Sequence, residues 1–147
     1  MRFLPLTWFA CWLFIACETT SETPAFSTVP EIRLVEVSGT ELVAFEDSLR
    51  LRITYQDGDG DLGSSDPNEE LITVRDSRLN EADSYYLPPL APEGSVVSIR
   101  GEVDLVLPPF FLLGNADRET VELTITFTDR AGQSSNALQT AVMVVRE

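Results

Sequence analysis

Asp57, Asp59 and Asp61, at every second position and separated by Gly58 and Gly60, form the stretch of this sequence best suited to chemistry. In an extended segment, residues two apart face the same side, so the carboxylates converge on one point. The glycines remove side-chain bulk and permit positive φ where the loop curls. Carboxylates so placed repel one another unless a cation or protons intervene. Oxygen-only ligands suit calcium, and magnesium less well. The loop is not an EF-hand, because the positions that would be its sixth glycine and twelfth glutamate are Leu62 and Asn68. The competing reading is a solvated turn, since Asp-Gly pairs form turns unaided.

The elements that must hold this loop read with a period of two. Leu49, Leu51, Ile53 and Tyr55 alternate with Arg50, Arg52 and Thr54, a half-buried strand that delivers Asp57 two residues past Tyr55. Val121, Leu123, Ile125 and Phe127 alternate in the same way and deliver Asp129 two residues past Phe127. If both strands run the same way, their outgoing loops share a pole, and Asp129 becomes a fourth candidate ligand. It equally suits a turn with Arg130 and Gly132. Asp66, Glu69 and Glu70 follow the first loop and are available to complete a shell, whereas Asp76 is expected at the opposite pole.

Further strands are expected around Ile32, Leu34 and Val37, over residues 71–74, and around Leu138, Thr140, Val142 and Val144. Residues 97–107 read as two strands parted by a turn or bulge at Gly101, ended by Pro108 and Pro109. Residues 80–92 read as a long irregular connection, and no stretch shows an amphipathic helix. About seven short strands in roughly 115 residues is the pattern of an immunoglobulin-like β-sandwich, an all-β fold. Its core should hold Ile53, Ile125 and Phe127, with Arg52 and Thr124 on the outer faces.

Composition removes several function classes. The whole chain carries 10 basic and 24 acidic residues, and all the basic ones are arginine. Without Arg2 the balance is 9 against 24, a net charge of −15. That charge opposes binding to nucleic acid through a basic patch. With neither histidine nor lysine, the chain has no Ser-His-Asp triad, histidine zinc ligand, Schiff-base lysine or P-loop lysine.

At the N-terminus, Arg2 precedes an apolar run over residues 3–16, shorter than the ~20 residues a membrane-spanning helix needs. It ends in Leu13-Phe14-Ile15-Ala16-Cys17, followed by the polar Glu18-Thr19-Thr20-Ser21. This junction resembles a lipobox, in which a bacterial signal peptide is cleaved before a cysteine that becomes lipidated. The expected organisation is a signal peptide over residues 1–16, lipidated Cys17 opening a flexible tether over 17–29, and a β-sandwich domain over 30–147. Cys11 and Cys17 are the only cysteines, so the processed chain has no disulfide to rely on.

The loop Asp57-Gly58-Asp59-Gly60-Asp61-Leu62-Gly63 and the later Asp129-Arg130-Ala131-Gly132-Gln133-Ser134-Ser135-Asn136 together carry a wider likeness. With the lipobox and tether, the chain resembles short Bacteroidota-type lipoproteins with a single Ig-like domain and an aspartate-glycine loop. The resemblance implies an outer-membrane lipid anchor facing the periplasm or the cell surface.

Three function classes follow. The first is a non-enzymatic, calcium-stabilised binding or adhesion module for a protein or glycan ligand, held at the membrane by its lipid. The second is a structural accessory subunit of a larger envelope complex. The third, a carboxylate-based glycosidase, fits worst, because the acids cluster in one loop rather than facing each other across a cleft. Tyr85-Tyr86 with Pro88-Pro89 read as a ligand platform or as packing over a sheet edge. Phe110-Phe111-Leu112-Leu113 read as an exposed contact patch or, in preference, as a connection folded into the core, and Arg75-Asp76-Ser77-Arg78 as an anion site or equally a surface ion pair.

Overall fold

The computed structural model describes residues 26–146. The expected signal peptide, Cys17 and the first part of the expected tether lie outside the described residues. Among those described there are eight strands: β1 (Glu31–Val37), β2 (Glu41–Val43), β3 (Leu49–Asp57), β4 (Ile72–Asp76), β5 (Asp83–Tyr85), β6 (Ile99–Leu107), β7 (Arg118–Phe127) and β8 (Leu138–Val145). They form two sheets, ordered β1-β3-β6 and β2-β8-β7-β4-β5. All neighbours are antiparallel except β2, which runs parallel to β8. This is an immunoglobulin-like β-sandwich, with β3 and β7 in the positions of strands B and F.

The alternation read from the sequence is what the two sheets bury. Leu49, Leu51 and Ile53 of β3 face Val121, Leu123, Ile125 and Phe127 of β7, all fully or almost fully buried. Ile32, Leu105, Leu107, Ile72, Val74, Val142 and Val144 complete one continuous core. Arg52 and Thr124 take the outer faces but are half-buried rather than fully exposed. Arg52 reaches Asp104 and Glu36 across neighbouring strands, which covers its stem.

Four local readings are corrected. Residues 99–107 form one uninterrupted strand, paired with β3 in regular register from Ile99 to Leu107. Gly101 lies directly opposite Tyr55, and a Cβ there would stand 2.7 Å from the tyrosine oxygen. The glycine therefore makes room for a ring and breaks nothing. The connection over residues 80–92 contains β5, which pairs with β4. The unforeseen β2 arises because the chain changes sheets after β1. Ser38 N–H donates to Arg50 of one sheet, and Thr40 C=O then accepts from Met143 of the other. Finally, residues 110–113 are only half absorbed by the core: Phe110 and Leu112 pack against it, while Phe111 and Leu113 are exposed.

The pairing register places every strand end at one of two poles. Glu31 pairs with Gln56 and Ile72 with Phe127, so the chain enters the domain at the pole where β3 and β7 end. Leu49 pairs with Leu107, and Arg118 with Val145, at the other.

Candidate metal centre

The loops after β3 and β7 meet as their shared direction predicts. Arg130 N–H donates to Asp61 C=O at 3.2 Å, and Ala131 N–H donates to the Asp61 carboxylate at 3.1 Å. Gly60 and Gly63 take positive φ, 75° and 80°, so the chain curls where L side chains would be strained. The curl turns the three side chains inward. One carboxylate oxygen from each of Asp57, Asp59 and Asp61 lies within 4.8 Å of the others. Two oxygens sharing a calcium ion at 2.3–2.6 Å stand no more than about 5.2 Å apart, so the spacing is compatible with a common cation.

Asp57 is completely buried, and Oδ1 of each of the three aspartates is buried without a hydrogen-bond partner. The second oxygens are in use: Asp57 Oδ2 accepts from Asp61 N–H at 3.0 Å, and Asp61 Oδ2 from Ala131. The carboxylates of Asp57 and Asp61 are thus each held through one oxygen by backbone, with the other oxygen left unpartnered. Burial, followed by the neighbouring charges of Asp59 and Asp61, pushes the Asp57 carboxyl up to about 6. Asp61 is also raised, by burial first and then by Asp129 and Asp59. No guanidinium among the described residues pairs with the three carboxylates. The nearest, Arg130, hydrogen-bonds the Gly63 carbonyl and lowers Asp61 only as a minor influence. An arrangement of this kind is suited to holding a hard divalent cation.

The other sequence candidates are placed as follows. Asp129 is buried beside Asp61, but its oxygens are used by its own turn: Oδ1 accepts from Gln133 N–H at 2.7 Å and Oδ2 from Gln133 Nε2 at 3.2 Å. It lies outside the group of three whose oxygens converge. Asp66 is exposed and accepts from the backbone and side chain of Asn68, an Asx turn. Glu69 and Glu70 are exposed. Asp76 sits at the far pole, buried against Arg78 at 2.7 Å, with Glu119 2.9 Å from the same guanidinium. This is a largely enclosed network rather than the surface ion pair expected.

Three supports of the loop were not anticipated. A Cβ on Gly58 would stand 2.3 Å from the Phe26 carbonyl oxygen and 2.7 Å from that of Ser27, so residues 26–27 cross directly over the loop. Gln133 Nε2 also donates to Thr28 C=O, tying the same segment to the β7–β8 turn. These residues belong to the stretch read as tether, and here they lie against the domain. On the opposite flank, Leu90 N–H donates to Leu62 C=O, Ser64 N–H to Leu87 C=O, and the Tyr86 hydroxyl to Ser64 C=O. Residues 86–90 therefore pack along the loop. The only sequence signal for these supports was glycine itself, at a position with no turn to make.

No protein-family model matches the chain, and neither a curated protein nor a solved structure matches it.

Proposed function

We propose that this protein is a lipid-anchored cell-envelope protein whose immunoglobulin-like domain is stabilised by calcium and acts as a non-enzymatic binding or adhesion module. The observation that carries the reading is the set of three buried, unpartnered carboxylate oxygens of Asp57, Asp59 and Asp61. Buried acceptors lacking donors are costly, and a cation supplies at once the charge and the coordination they lack. Calcium is preferred to magnesium because the loop is built from glycine and carboxylate and tolerates irregular coordination. The anchor rests on the lipobox-like junction at Ala16-Cys17. No helix among the described residues is long and apolar enough to cross a membrane. Attachment through acyl chains requires none.

Two measurements test this. Calorimetric titration of calcium into the mature chain should give one site, with magnesium binding more weakly; no heat in either case ends the metal reading. Separately, Cys17→Ala should block fatty-acid labelling and move the protein out of the membrane fraction. Unchanged labelling and fractionation would remove the anchor.

A further inference from the structure

The pole opposite the aspartates displays an aromatic pair at the surface. Phe45 is 75% exposed and Phe111 39%, with ring centroids 6.3 Å apart and planes inclined by 19°. Leu113, 49% exposed, follows on the same connection. Phe45 is the only non-glycine residue with positive φ, 66°, among those described. Its turn is otherwise well tied: Phe45 N–H donates to Phe110 C=O, and Glu46 and Asp47 N–H both donate to Val43 C=O. Glycine or asparagine is the ordinary occupant of such a position. A phenylalanine held there with its ring in solvent gains little burial against the strain, and residues kept in that state cluster at functional sites.

The surroundings specify the chemistry of what the rings meet. The guanidinium of Arg78 lies 5.9 Å from the centre of the Phe111 ring, showing that this face accepts a planar cation. That guanidinium is already neutralised by Asp76 and Glu119. Carboxylates stand close to the rings: Glu46 and Asp47 follow Phe45, Asp47 accepting from Val43 N–H in its own turn, and Asp83 lines a cleft of about 80 Å³ walled by Tyr85, Pro109 and Phe111. An apolar wall with a carboxylate at its side fits an aliphatic stem ending in a cation. A second copy of the chain is a poor occupant, since each copy brings a net charge near −15.

We propose that the tip formed by Phe45 and Phe111 is the binding surface of the domain, and that its partner is a protein segment presenting arginine between aliphatic residues. The proposal rests on the binding-module reading above and gives it a location. Residues 26–28 enter at the aspartate pole. The tip therefore stands at the other end of the nine-residue strand β3, roughly 25–30 Å away.

The test uses the mature chain made soluble by Cys17→Ala and, as probe, the peptide acetyl-Gly-Arg-Leu-Arg-Leu-Gly-amide, read by amide chemical shifts. The expected result is perturbation centred on Phe45, Asp83 and Phe111. Affinity should fall at least about tenfold in Phe45→Gly and in Phe111→Ala. Because glycine suits the backbone at this position, Phe45→Gly should melt no lower than the parent, which separates a binding role from a packing role. Peptide binding unaffected by Phe45→Gly would be nonspecific attraction to an acidic protein and would overturn the proposal. So would a large fall in melting point in that variant, self-association through the rings, or binding of an oligosaccharide there in place of the peptide. Repeating the titration in chelator and in calcium separates the two readings: failure of the metal site leaves peptide binding at the far pole intact.

Discussion

Each pole of the sandwich buries a group of carboxylates, and the two groups are handled in opposite ways. At the far pole, Asp76 and Glu119 share the guanidinium of Arg78, which binds Asp76 through two nitrogens and also donates to the Phe111 carbonyl. Backbone N–H groups of Leu113 and Gly114 take up the rest of Glu119 and hold its carboxyl below the usual range. At the near pole, Asp57 and Asp61 have backbone donors behind them, no guanidinium among the described residues pairs with Asp57, Asp59 or Asp61, and three oxygens are orphaned. A fold that satisfies one acidic cluster internally and leaves the other open has left room for a cation from outside. Burial and the neighbouring carboxylates of Asp59 and Asp61 raise the Asp57 carboxyl to about 6.

The sharpest way to break the contrast is to make the far pole resemble the near one. Arg78→Met removes the internal cation and leaves Asp76 buried and uncompensated, which should cost about 3–5 kcal/mol in urea unfolding. A loss below about 1 kcal/mol would mean that Asp76 finds water or protonates at little cost.

The second test follows the protons. Asp57 has its folded pKa raised to about 6 from 3.8. Its favourable contribution is therefore full below about pH 4 and lost as pH rises through 6. In chelator, the domain should lose stability over that window, on the order of 3 kcal/mol for this group at the upper bound. Saturating calcium should remove most of the loss, since the ion stabilises the ionised form. A chelated domain that gains stability between pH 4 and 6 would show that the carboxyl is not raised, or that other acids outweigh it.

Calcium itself should have the next largest effect. At ~10 mM, and with the ~10⁻⁴ to 10⁻³ M affinities of extracellular modules, binding adds roughly 1.4–2.7 kcal/mol. That raises the melting point by about 5–10 °C. Asp59→Asn should abolish most of the shift while leaving the metal-free domain folded. A shift that survives in the variant would place the ion elsewhere.

The smallest effect concerns the segment over the loop. Gly58→Ala drives a methyl into the carbonyls of Phe26 and Ser27, which must move because both are backbone. We expect a loss of about 1 kcal/mol in global stability. The more telling readout is faster proteolysis between residues 26 and 29. Unchanged cleavage would show that the segment rests on the loop without being held by it.

Part of this is legible in the sequence, and the reason is periodicity. Alternation in β3, β7 and β8 marked which face was buried, because a sheet strand has only two faces and one of them must meet the core. The same period of two pointed to Asp57, Asp59 and Asp61, although β3 ends at Asp57 and the curl at Gly60 and Gly63 is what brings the three together. The meeting of the β3 and β7 loops at one pole followed from the fold class. Gly101 is ambiguous in the sequence because a glycine in a strand signals either a bulge or a close approach, and only the partner strand, with Tyr55 opposite, tells which. β2 and β5 are three residues each, too short for any pattern to emerge.

What the sequence alone determined was the local inventory: strand faces, the acidic loop, and the lack of lysine and histidine that removes triad, Schiff-base, P-loop-lysine and histidine-ligand chemistry. What tertiary structure decided was how each charge is paired. Arg78 lies two residues from Asp76 and forty-one from Glu119, and Asp129 takes Gln133 as partner rather than turning toward Asp61. Pairing of this kind depends on distances of a few ångströms between segments distant in the chain. Sequence spacing sets such distances only within one strand or turn, so the three orphan oxygens, and the aromatic pair at the other pole, become visible only once the sheets are packed.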